Sequence, residues 1–221
     1  MNDQKSIVYV KVDSAGCITE INSSTFITDL VNWIQIDEGT GDKYAHAQGS
    51  YLEKPLMDSN NCYNYSLVSS KVVERTEEEK TADTGYVERA RASKLEEVSN
   101  VCTATVYAGT DITTTVGVEH FSATGDDQMN LSAMAIAVQQ GATSVPYHAD
   151  GKLCRMFTAA EILSAYAAVK AFVTHNVTFC NHLNVWIRRC TTAAEIQAIS
   201  YTSVLPDDLL ANFNAVLGIT E

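Results

Sequence analysis

Residues 159–190 read as one long helix with two apolar stripes, and a helix of that kind has to be covered on two sides. Thr158-Ala-Ala-Glu161 opens it as a capping box, in which the threonine and the glutamate three residues on satisfy free N–H groups of the first turn. At roughly 100° per residue, Ile162, Tyr166, Val169, Val173, Val177, Cys180, Leu183, Ile187 and Cys190 fall on one face. Phe172, His175, Phe179, His182 and Trp186 form a second stripe on roughly the opposite face. The first stripe should pack on predicted hairpins at 101–121 and 143–157, which supply the nearby β-branched faces. The second must meet the C-terminal helices, another copy of the chain or a partner protein. If the C-terminal helices leave it open, Phe172, His175, Phe179, His182 and Trp186 mark a partner surface.

Towards the N-terminus the pattern changes to period two. SIVYVKVD (6–13) alternates apolar and polar residues, turns at Ser14-Ala15-Gly16 and returns as CITEINS, a β-hairpin signal. NWIQID predicts a further strand, and YNYSLVSSKVVERT predicts two short ones joined near Ser69-Ser70. Thr76 and Glu79 form another capping box, opening a charged helix that should run to about Asn100 as a connector. From Val101, CTATVYAG and ITTTVGVEHF read as a hairpin rich in threonine and valine. A helix over roughly 126–140 stops at Gly141, and TSVPYHADGKLCRMFT turns at Asp150-Gly151 as a further hairpin. Thr192 and Glu195 make a third capping box before a short helix, and a last helix runs from Pro206 to Gly218. These elements predict an α+β fold. A small antiparallel β unit covers 1–74, a connecting helix 75–100, and a C-terminal α+β domain with hairpins and a long central helix 101–221. A chain of 221 residues, 46% hydrophobic, is long enough for two such cores.

Charge narrows the partners. A net charge of −12 argues against a nucleic-acid binder, which needs a basic face for phosphates, and against attraction to anionic lipid. The N-terminus lacks the pattern of a signal peptide, and no apolar run reaches the ~18 residues of a membrane helix, so folding in a cytoplasm is expected. Six scattered cysteines without a CxxC are the usage of a reduced compartment, where cysteine acts as a small hydrophobe.

The stretch IDEGTGDKYAHAQG tempts a chemical reading. A phosphate cradle needs glycines at set positions between a strand and a helix. Gly39 and Gly41 follow a strand, but no third glycine sits at 44, no helical pattern follows, and Asp37, Glu38 and Asp42 would repel phosphate. Asp37 and Asp42, with His46 beside them, offer hard oxygen donors of the kind that suit calcium or magnesium, yet the three lack a calcium-loop spacing. The stretch reads as a structural loop. His175 and His182 are about 10.5 Å apart along their helix, too far to share a metal, and Cys180 points away from both. His46, His120 and His148 stand in strand or loop contexts without a family-type catalytic motif. No catalytic residue, metal or cofactor is expected, and the chain is not expected to be an enzyme.

Two long stretches carry a family resemblance. IVYVKVDSAGCITEINSSTFI, NWIQIDEGTGDKYAHAQGSYLEKPL and YNYSLVSSKVVERTEEE resemble the N-terminal part of tail-associated proteins of phages and prophages of Gram-positive hosts. VEHFSATGDDQMNLSAMAIAVQQGATSVPYHADG and THNVTFCNHLNVWI are similar to an uncharacterised domain of phage tail-fibre assembly proteins. The resemblance implies either a chaperone-like fibre-assembly protein acting in the host cytoplasm or a structural or adaptor component retained in the tail or baseplate. The implied partner is a tail-fibre or other tail protein, with a second copy of the chain as a further candidate. It carries over no site residue.

Overall fold

Alternation in SIVYVKV puts Val8 and Val10 on one face of β1 (Ser6–Val12), and both are fully buried. The computed structural model describes residues 5–219. β1 is the middle strand of an antiparallel sheet of order β2-β1-β3, with β2 (Ile18–Ser23) and β3 (Ile34–Gly39) at its edges. The β1–β2 turn is set by Gly16 at φ +84° and by Asp13, whose carboxylate accepts the N–H groups of Ala15 and Cys17. Val8, Val10, Ile18 and Ile21 form one core with Ala47 and Tyr65.

The glycine-rich loop is followed by helix after all, in two single turns, α1 (Asp42–Ala45) and α2 (Ala47–Ser50). Periodicity over four residues is too short to register as a helical pattern. β4 (Tyr65–Val68) and β5 (Lys71–Glu74) pair as a hairpin through Ser69 and Ser70, both at positive φ as a tight two-residue turn requires.

The charged helix expected from Thr76 to about Asn100 is two helices. α3 (Glu77–Thr81) carries the predicted capping box and stops, and α4 (Tyr86–Ala108) begins after Gly85, at φ +79°. α4 also absorbs residues 101–108, whose threonine and valine content predicts a strand. The reason is burial: Val98, Cys102 and Val106 recur every four residues and are all buried, so helical packing overrides the β-propensity of threonine and valine. Only the second half of that segment is a hairpin, β6 (Thr110–Thr114) with β7 (Gly117–Phe121).

After β7 come α5 (Gly125–Gln139), the hairpin of β8 (Ser144–Tyr147) and β9 (Arg155–Thr158), and α6 (Ala159–Arg189). α7 (Ala193–Gln197) and α8 (Asp207–Leu217) complete the chain, α8 ending at Gly218 in the left-handed conformation. The fold is α+β, with small antiparallel sheets and two long helices. No described helix is long and apolar enough to cross a membrane.

Two compact units result. One holds the described residues up to Ser93 with Thr191–Ala193, the other Lys94–Cys190 with the described residues from Ala194 on. The first is stapled by buried charges. Arg75 meets Asp83 at 2.6 Å and Lys80 meets Asp58 at 3.2 Å, both cations being almost fully enclosed. In the second, α6 buries Ile162, Ala165, Val169, Cys180, Leu183 and Ile187 against α5 and the two hairpins. Val177, assigned to that stripe, is half exposed instead, and Asn176 takes the buried place. Its side-chain oxygen accepts the Tyr201 hydroxyl at 3.2 Å, so a satisfied polar group interrupts the apolar face.

Candidate functional site

The second stripe of α6 is closed largely by the chain itself. Phe213 of α8 is buried and lies edge-on to the rings of His175, Phe179 and His182, at 5.2, 5.9 and 5.6 Å between centroids. Tyr201 also lies edge-on to Phe179, at 5.4 Å. His182 is buried, its Nδ1 against the Thr178 carbonyl oxygen at 2.7 Å and its Nε2 against the Asn212 side chain at 2.9 Å. Phe172 and Trp186 are half buried, and of the five only His175 is exposed. The chain itself therefore covers the stripe at Phe179 and His182, while His175 stays exposed. The amphipathic pattern of Leu209 and Phe213 in α8 was the available sign of its cover. Asn212→Ala should cost about 1 kcal/mol in urea denaturation, the worth of one partly solvated hydrogen bond. An unchanged midpoint would place the His182 contact outside the stabilising seam.

The 37–49 loop disperses its polar groups. Asp37 accepts the Tyr51 hydroxyl at 2.8 Å and the Glu38 N–H at 2.8 Å, while Asp42 faces Ser50 at 3.4 Å and His46 at 3.7 Å. Among the described residues no group of three His, Cys, Asp or Glu side chains converges as metal ligands do. Gly39 has a steric role, since a Cβ there would lie 2.5 Å from the Tyr44 ring.

Five of the six cysteines are buried and Cys154 is exposed, so the reading of all six as small hydrophobes fits five. Burial pushes the Cys17, Cys62 and Cys180 thiols above the usual range, which keeps them protonated and inert.

The second unit carries a buried ionic cluster. Arg155 of β9 binds Glu119 of β7 at 2.7 Å and Glu161 of α6 at 3.0 Å, and both carboxylates are over nine-tenths buried. Thr115 donates its hydroxyl to Glu161 at 2.6 Å, and Thr158 donates its N–H at 2.9 Å. These hydrogen bonds, the Thr115 one foremost, outweigh burial and hold the Glu161 carboxyl far below the usual carboxylate range. The arrangement clamps both hairpins to the start of α6. Glu161 accepts on both of its oxygens and Glu119 on one, so the cluster ties strand, hairpin and helix together.

A surface that sequence reasoning missed lies on α5. Thr124 caps this helix with Asp127 as the reciprocal partner, a box made with aspartate where glutamate is the usual signal. Leu131 and Ala135 are buried, and α5 packs against α6. The opposite face presents Met129, Ala133 and Ile136, spaced by four and three residues, to solvent. No Asp, Glu, Lys or Arg occurs between residues 128 and 149, in a chain with 27 acidic and 15 basic residues. An apolar, charge-free stripe of this kind is what a protein partner covers. The missing charges were the legible signal.

A family model described as Domain of unknown function (DUF4376) matches residues 89–201, just over half of the chain, from α4 to the segment before α8. No curated protein and no solved structure matches.

Proposed function

We propose that this chain, which belongs to the DUF4376 family, is a phage tail-fibre assembly protein that binds the fibre chain during folding in the host cytoplasm. The observation that carries the reading is the outer face of α5, where Met129 and Ile136 are 66% and 52% exposed on a helix already packed on its other side. A helix apolar on both faces is stable in water when a second surface covers the outer one. The resemblance of VEHFSATGDDQMNLSAMAIAVQQGATSVPYHADG to fibre-assembly proteins supplies the partner, and that string contains α5 itself. Binding needs shaped apolar surface and no titrating nucleophile, so the chain acts without catalysis in this reading.

The test is co-expression with a tail-fibre chain of the same phage, followed by affinity purification, together with mass spectrometry of purified particles. The wild type should co-elute with the fibre chain and be absent from particles. Met129→Lys with Ile136→Lys should abolish co-elution while changing stability by less than about 1 kcal/mol, as exposed sites do. Undiminished co-elution of that double variant removes α5 as the binding face. Stoichiometric recovery from particles replaces the assembly reading with a structural or adaptor role in the tail.

A further inference from the structure

His120 takes no part in the assembly surface, yet its ring is held at both nitrogens. It stands on β7 opposite Asp111 of β6. Its Nδ1 lies 2.6 Å from the Asp111 carboxylate, and its Nε2 lies 2.6 Å from the carbonyl oxygen of Ala108, the last residue of α4. A carboxylate and a peptide carbonyl only accept, so both ring nitrogens have to donate. Only the imidazolium has two N–H groups. A neutral ring turns one lone pair onto an oxygen and loses that bond.

The surroundings suit the cation. Among the described residues two charged groups face the ring, Asp111 from β6 and Asp150 from the β8–β9 connection, the latter at 4.0 Å. α4 contributes its C-terminal carbonyl end, the negative pole of the helix. Asp150 is itself fixed, accepting the Ser122 N–H at 3.0 Å while its own N–H donates to the His120 carbonyl at 2.9 Å. The corner is tight, because Gly109 packs directly against the backbone of Phe121.

We propose that His120 is a pH-operated pin that ties the last carbonyl of α4 to the β6–β7 hairpin as an imidazolium and releases that corner when it loses its second proton. The Asp111 bond first, and the Ala108 bond second, raise the proton affinity of the ring above that of an ordinary histidine. The pin is therefore fully engaged below the ordinary value of about 6.5, and it disengages as pH rises through the higher folded value.

Nitrogen NMR of the His120 ring, with amide exchange of the intact chain from about pH 5.5 to about pH 9, tests this. The ring should be doubly protonated at neutral pH and titrate above the ordinary range. The protection factor of the Gly109 amide, which donates to Val106 at 3.1 Å, should fall about tenfold through the same transition. Asp111→Asn, at a well-exposed side chain, should lower the titration towards the ordinary value and shift the Gly109 change with it. A ring that is neutral at neutral pH overturns the pin, and so does a titration that leaves Gly109 protection unmoved.

Discussion

Gly109→Ala is expected to destabilise the chain by about 3 kcal/mol or more, seen as a lowered urea midpoint or loss of soluble protein. Two effects add. The residue sits at φ +79°, a conformation that costs an alanine roughly 1 kcal/mol or more. A Cβ built there would also lie 2.0 Å from the Phe121 carbonyl oxygen and 2.6 Å from the Ser122 Cα. Those are backbone atoms, so no side-chain rotation relieves the overlap, and the end of α4 must separate from β7. The entropy an alanine removes from the unfolded chain returns at most about 1 kcal/mol. Gly151→Ala is the control, since it also has positive φ but nothing within 4 Å of its Cβ. It should cost about 1 kcal/mol. Equal effects of the two substitutions would mean that the α4–β7 contact is not close.

Gly109 also marks the limit of sequence reading. The glycine after CTATVYA was legible as a chain reversal, because glycine is the residue that tolerates positive φ. The element before it was not. Threonine and valine announce a strand, and only the burial of Val98, Cys102 and Val106 on a common helical face tells that they continue α4. The capping boxes at Thr76 and Thr158 were readable because both halves of the bond lie within four residues, and both form. The cover of α6 was not readable in the same way. His175 and Phe213 meet across 38 positions of sequence, a distance over which no local pattern carries information. The outer stripe of α5 fell between these cases. Its spacing and lack of charge are local, but the burial of its other face is tertiary.

Arg155→Ala should cost about 3–5 kcal/mol at neutral pH, the range for stripping the partner from buried charge. It would leave Glu119 and Glu161 enclosed with no cation between them. It would also strip the Phe157 ring, over which the guanidinium lies at 3.5 Å from the centroid. Arg155→Lys should recover only part of the loss, because an ammonium does not stack on the Phe157 ring as the guanidinium does. The pH dependence separates charge from packing. Burial opposes ionisation of Glu119, but bonds from Thr114 and Arg155 outweigh it and hold that carboxyl below the usual range, as Glu161 is held more strongly. For depressed carboxyls the stabilisation is complete above the unfolded value of about 4.3 and drains away as pH falls towards the folded one. Without Arg155 both carboxyls lose one of the bonds that lower them and face each other without a cation, so their depression is expected to weaken, with Glu161 keeping its bonds from Thr115 and Thr158. The gap between Arg155→Ala and wild type should therefore be widest near pH 7 and narrow as pH approaches about 4. Urea unfolding at both values measures it. A gap independent of pH would assign the contribution of Arg155 to its packing on Phe157 and take the carboxylates out of the stability of the hairpin–helix clamp.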